Sequence, residues 1–189
     1  MIKSFTQFVN EKQATYDYGC VMLYTDFPNM EKLHSQIEEE DVYINPDDST
    51  FGLETEPHIT LLYGLHDGVS LEEVKGVIEK HQFGELIAYN VSMFDNPKYD
   101  VLKFDIRYPN KGGAFLHKCN EDLKQFPFTT QFPEYHPHMT IAYIKKGMGQ
   151  KYVDLFQGQE WSLTPTNVVY SMANGEKPTI EINETPPQV

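Results

Sequence analysis

Two segments of the chain place the same residue types in the same order: Pro57–Gly64 reads PHITLLYG and Pro137–Ile144 reads PHMTIAYI. Each puts a histidine, and two residues later a threonine, into an apolar run. Side chains of a strand alternate between its faces, so residues at i and i+2 project together. His58, Thr60 and Leu62 therefore share one face, as do His138, Thr140 and Ala142. Parity assigns Ile59, Leu61 and Tyr63, and likewise Met139, Ile141 and Tyr143, to the opposite, packed face. An imidazole titrates near 6.5, so of two rings brought together near neutral pH one can accept a proton while the other donates one. That pair suits metal-free phosphodiester cleavage. The neutral ring takes the proton of an attacking hydroxyl, and the charged ring supplies one to the leaving oxygen. The threonine hydroxyls can donate to the non-bridging oxygens, where charge builds in the transition state.

With seven histidines in the chain, about one His-x-Ser/Thr arises by chance. Two copies in matching frames, with the histidines at 58 and 138, are a different matter and point to a repeated unit.

The elements that must position these residues alternate along the chain. Tyr16–Tyr24 reads as a strand, followed by a helix over PNMEKLHSQIEEE with Pro28 near its first turn and Met30, Leu33 and Ile37 at helical spacing. DVYIN reads as a short strand and PDDST as a loop. After the first motif strand, SLEEVKGVIEKH opens with Ser70 and Glu73 as a capping box and carries Leu71, Val74 and Ile78 on one face. LIAYNVSMF and YDVLKFDIRY read as strands joined by the turn DNPK, AFLHKCNEDLKQF as a helix, and QKYVDLF as another before two closing strands around ANGEKP. Each half holds strands, a helix and one motif. The expected product is one α+β domain over residues 1–189, with lobes near 14–85 and 86–184, peripheral ends at 1–13 and 185–189, and two sheets facing a groove. The opening MIKSFTQFVNEKQ reads as an amphipathic helix rather than a secretory signal, and the tail ETPPQV as loose.

Charge narrows the ligand. Twenty-eight acidic residues oppose 15 basic ones, a net charge of -13, and Arg107 is the single arginine. Proteins that track a nucleic-acid backbone draw most of their affinity from a basic stripe, which is missing here, so a long RNA or DNA is not the expected partner. No apolar run approaches the roughly 20 residues of a membrane span. A cytoplasmic protein, monomeric or weakly oligomeric, is expected. Cys20 and Cys119 follow no metal or redox spacing and read as buried thiols in a reducing compartment. Neither a metal nor a cofactor is expected.

The paired His-x-Thr strands, with FDNPKYDVLKFDI between them, resemble the 2H phosphoesterase superfamily over nearly the whole chain. The resemblance implies a bilobal α+β fold of two pseudo-symmetric antiparallel sheets facing a central cleft, with helices outside. It also implies His58 and His138 as catalytic pair and Thr60 and Thr140 as phosphate ligands. GLETEPHITLLYGLHDG is similar to the tailed-phage branch that degrades cyclic-oligonucleotide alarm signals, the anti-CBASS enzymes, and MIKSFTQFVNE resembles N-termini of T4-like phage proteins. The function so implied is hydrolysis of a cyclic di- or trinucleotide in the host cytoplasm, which fits a small anion better than a long one. The alternatives are an enzyme acting on 2′,3′-cyclic phosphates of RNA ends, for which basic patches would be the mark, and a non-catalytic nucleotide-binding or virion protein, which would not need two proton-transfer groups.

Further candidates come from position. Lys146 falls on the parity of His138 and Thr140 at the strand's end and is within reach of a phosphate. A cyclic nucleotide needs stacking surfaces, for which Tyr18 and the single tryptophan, Trp161, are the candidates. Tyr16, Tyr24, Tyr135 and His136 are other aromatics in the same regions, and His34, His66, His81 and His117 read as surface or satisfied residues.

Overall fold

A computed structural model describes residues 16–110 and 114–184. The opening segment, expected as an amphipathic helix, and most of the tail lie outside these residues. The strands that matter are β1 (Gly19–Asp26), β2 (His58–Leu65), β4 (Leu86–Asp95), β5 (Tyr99–Arg107), β6 (His138–Lys145) and β7 (Trp161–Ser171). They form a single antiparallel sheet in the order β2-β1-β7-β4-β5-β6, with β8 (Thr179–Glu181) paired to β7. β3 (Gln82–Phe83) and β9 (Asn183–Glu184) make a small parallel pair apart from it.

The order is a palindrome: motif strand, partner, inner strand, then inner strand, partner, motif strand. Two separate sheets were the expectation, but β7 joins the halves. Its first three residues pair with Leu86–Ala88 of β4, and the stretch from Thr164 to Ser171 pairs with β1. The motif strands β2 and β6 end the path and come into contact with each other.

Among the described residues four α-helices accompany the sheet: α1 (Met30–His34), α2 (Leu71–Ile78), α3 (Ala114–Leu123) and α4 (Gly149–Phe156). The capping box of α2 is present in full, with Ser70 accepting from the Glu73 amide and Glu73 accepting from the Ser70 amide. The helix expected after Pro28 is only five residues long. Ser35 Oγ and Gln36 Nε2 both donate to the Lys32 carbonyl, so side chains take an acceptor that a longer helix would use. Met30, Leu33 and Ile37 are nonetheless buried as the spacing required. DVYIN is not a strand; Val42 makes one bridge to Ile144, and the Tyr43 amide donates to the Tyr143 carbonyl.

Those last contacts belong to a reciprocal arrangement. An unpaired sheet edge invites association with other chains unless something covers it. Residues 42–54 of the first half cover the outer edge of β6, through Val42, Tyr43, Gly52, Leu53 and Glu54. Residues 127–129 of the second half cover β2, where His66 donates to the Pro127 carbonyl and Thr129 to that of Gly64.

Gly64 is fixed by that second contact. Its φ is +111°, and a Cβ there would lie 1.9 Å from the Thr129 carbonyl oxygen. Backbone strain and overpacking together set the expected cost of Gly64→Ala at about 3 kcal/mol. The measurement is urea unfolding, in which the midpoint should fall at unchanged slope. A midpoint equal to wild type would show that the 127–129 segment does not press on β2 as described.

Candidate active site

Each motif begins with proline for a local reason. Proline restricts the residue before it to extended conformations, which here turns that residue's carbonyl toward the histidine ring. His58 Nδ1 donates to the Glu56 carbonyl at 2.8 Å, and His138 Nδ1 donates to the His136 carbonyl at 2.8 Å. Both rings thus hold their Nδ1 proton against backbone, which sets the tautomer in which Nε2 is the basic nitrogen of a neutral ring. The proline carbonyls are also used alike: Thr25 donates to that of Pro57, and Ile106 to that of Pro137, both at 3.0 Å.

The strands are not regular beyond the threonines. Along β2 the register with β1 runs Met22 to Thr60 and then Val21 to Leu62, skipping Leu61. Along β6 the register with β5 runs Lys103 to Thr140 and then Leu102 to Ala142, skipping Ile141. These are matching β-bulges, one residue after each threonine. A bulge inverts the side-chain alternation beyond it, so the simple parity fails there. Leu62 and Ala142 turn into the core, while Tyr63 and Tyr143 join the face of the histidines and threonines, contrary to the expectation that they pack away from it.

Each bulged carbonyl is held by the other half of the chain. Asn120 on α3, almost fully buried, donates to Leu61 O at 2.7 Å. His34 on α1 donates through Nε2 to Ile141 O at 3.0 Å, beside the Glu54 amide at 2.9 Å. Burial lowers the pKa of His34. The Thr60 carbonyl accepts from the Tyr135 hydroxyl at 2.9 Å. Asn120, His34 and Tyr135 thus hold the carbonyls of the motif strands on which both His-x-Thr pairs ride. His34 fits its reading as a satisfied histidine; the roles of Asn120 and Tyr135 were not foreseen, because they depend on contacts more than 55 residues away in sequence.

The two motifs differ in what faces them. Opposite His58 and Thr60 stand Tyr24 and Met22; the Tyr24 ring stacks on His58 with centroids 5.5 Å apart, and the Cys20 thiol lies near the Thr60 hydroxyl. Opposite His138 and Thr140 stand Asp105 and Lys103, which pair with each other at 2.7 Å, while Phe94 meets His138 edge-on at 5.0 Å. The pKa of His138 is lowered, chiefly by burial and further by the charges of Lys103 and His58. Its bond to the His136 carbonyl and the Asp105 carboxylate work the other way. The His58 charge is among those that act on His138, which places the two rings in one electrostatic neighbourhood.

Tyr18 lies at the end of this face, edge-on to Tyr63 at 6.2 Å and tilted over His66 at 5.7 Å. Lys146 and Trp161 do not join it. The Lys146 ammonium group pairs with Asp95 and Asp100, and Asp100 belongs to the other face of β5. Trp161 registers with Ala88 on the core face, with Phe27 at 6.4 Å and Lys32 Nζ 5.3 Å over its ring. Cys20 and Cys119 are buried free thiols, and burial pushes the Cys119 thiol up to about 12. Among the described residues no three His, Cys, Asp or Glu side chains are grouped to hold a metal, and no helix is long and apolar enough to cross a membrane.

The fold is thus an α+β duplication: one palindromic antiparallel sheet with a Pro-His-x-Thr strand at each end. The same fold is seen in the structure of Kluyveromyces marxianus Usb1, at a TM-score of 0.54 and 9% identity over 88% of this chain and 99% of that one. The Usb1 structure with uridine monophosphate gives a TM-score of 0.55 at 10% identity over the same shares, 88% and 99%. Escherichia coli LigT in apo form is less similar, at a TM-score of 0.47 and 12% identity over 88% and 96% of the two chains. No protein-family model and no curated protein matches the sequence.

Proposed function

We propose that the chain is a metal-independent phosphodiesterase of the 2H type whose substrate is a cyclic di- or trinucleotide. The observation that carries the chemistry is the matched pair of imidazoles, each with Nδ1 held by the carbonyl two residues before it and a threonine beside it on the same face. His138, kept neutral by burial and Lys103, is the general base, and His58 is the general acid. His138 Nε2 takes the proton of a ribose 2′-hydroxyl, the 2′-oxygen bonds to phosphorus, and the bond to the 5′-oxygen breaks. His58 gives its proton to that departing oxygen. The linear product ends in a 2′,3′-cyclic phosphate. Water then attacks, losing its proton to His58 while His138 returns one to the 2′-oxygen, and both rings regain their starting states. Thr60 and Thr140 donate to the non-bridging oxygens throughout.

The similar Usb1 structure was solved with uridine monophosphate, which supports a nucleotide-type ligand. The net charge of -13 favours a small anion over a long RNA. Such an activity would remove an alarm nucleotide and so block the host's antiviral (CBASS) response, the role that the resemblance to the phage enzymes implies.

The test is incubation with cyclic dinucleotides, cyclic trinucleotides and 2′,3′-cyclic mononucleotides in EDTA, with the products separated by chromatography. Cleavage of the cyclic oligonucleotides at an undiminished rate is expected. Turnover of the mononucleotides alone would favour the RNA-end reading, and loss of all turnover in EDTA, restored by a divalent ion, would overturn the metal-free mechanism.

A further inference from the structure

We propose that Lys103 is a ligand for the substrate's phosphate, and that Asp105 and Asn90 are positioning residues that hold its ammonium group beside Thr140. The proposal rests on the phosphodiesterase reading of the site.

Lys103 is buried, at 8% exposure, and projects from β5 on the face of His138 and Thr140, directly opposite the latter. Its Nζ lies 4.9 Å over the Phe94 ring, the same ring that meets His138 edge-on. Asp105 Oδ1 takes one of its three donors at 2.7 Å. Asp105 is fixed in turn: its Oδ2 accepts from Asn90 Nδ2 at 2.5 Å. Asn90 is the bulged residue of β4, skipped between Tyr89 and Val91, and has φ +49°, alone among the described non-glycine residues in being left-handed. Strained backbone of this kind persists where the surroundings require it and gathers at functional sites.

A purely structural role is answered by the duplication. The positions equivalent to Lys103 and Asp105 in the first half are Met22 and Tyr24, by their register opposite Thr60 and His58. The fold is therefore built there without charge. A buried cation also opposes proton binding at its neighbour, and Lys103 does lower His138. The charged and titratable groups facing His138 are Lys103 and Asp105 from β5 and His58 from β2; Phe94 from β4 is neutral.

The experiment titrates inorganic phosphate into the full chain by amide NMR and measures diester turnover, for wild type, Lys103→Met, Lys103→Arg and Asn90→Gly. Lys103→Met should weaken phosphate binding at least about tenfold and lower kcat/KM by about 10²–10³. It should also move the acidic limb of the pH profile upward, since a cation facing His138 is gone, and Lys103→Arg should recover part of each. Glycine accepts the backbone angle of Asn90, so Asn90→Gly removes only the brace and should give a smaller loss of the same kind. Wild-type phosphate affinity in a folded Lys103→Met protein would overturn the proposal. If Lys103→Met does not fold, unchanged phosphate affinity in Asn90→Gly would do so. Lys103-dependent phosphate binding in a wild-type protein that cleaves no diester would uphold the ligand and sink the phosphodiesterase reading instead.

Discussion

His58→Ala and His138→Ala should each lower kcat by about 10²–10⁴, the worth of one positioned proton transfer. The double variant should be scarcely slower than either single one, because the two rings act on one proton inventory and neither works without the other. Both variants should fold, since the Nδ1 bond that each loses is a local one to a carbonyl two residues away. The pH dependence separates the roles. A base works unprotonated, so kcat/KM should fall as pH drops through the pKa of His138, which is held below the ordinary imidazole value of 6.5. The acidic limb should therefore lie below pH 6.5 in the wild type and disappear in His138→Ala. Near-wild-type turnover in either single variant would end the acid–base assignment; a limb retained in His138→Ala would show that another group is the base.

The sequence carries the duplicated motif openly, and with it the strands, the shared face of histidine and threonine, the capping box of α2 and the hairpin of β4 and β5. These are local features, set by alternation, by Ser70 and Glu73, and by the DNPK turn. The bulges were not legible. Nothing in the apolar order of LLY or IAY marks Leu61 or Ile141 as the residue to be skipped, since the choice is made by Asn120 and His34 arriving from the opposite half. Without the bulges Tyr63, Tyr143 and Lys146 are placed by a parity that no longer holds at their positions. Lys103 was missed for a related reason. A lysine within YDVLKFDIRY reads as an ordinary polar position on an alternating strand, and only the register with β6 reveals that it stands opposite Thr140. Trp161 was misleading because β7 turns the relevant side chains of its first residues toward α1 and the core.

A cyclic dinucleotide with 3′–5′ linkages and hydrogen in place of both 2′-hydroxyls should bind the protein and resist cleavage. The site offers two imidazoles and two threonine hydroxyls on one face, and the proposed role of the threonines is to donate to the phosphate. A ribose 2′-hydroxyl, by contrast, is already adjacent to the phosphorus it would attack, and holding reacting groups in place in this way is worth up to about 7–11 kcal/mol of barrier. His138 then needs only to remove a proton, and His58 only to return one. The deoxy compound keeps the phosphates, bases and ring, so its affinity should stay near that of the ribose compound, while its cleavage rate should drop below detection. Binding is read by calorimetry and cleavage by separation of the products. A second mark is the 2′,3′-cyclic phosphate, which should appear early with the ribose substrate and decay as the pair hydrolyses it. If the deoxy compound is instead cleaved at a comparable rate, water is the nucleophile, and the two histidines act by activating it.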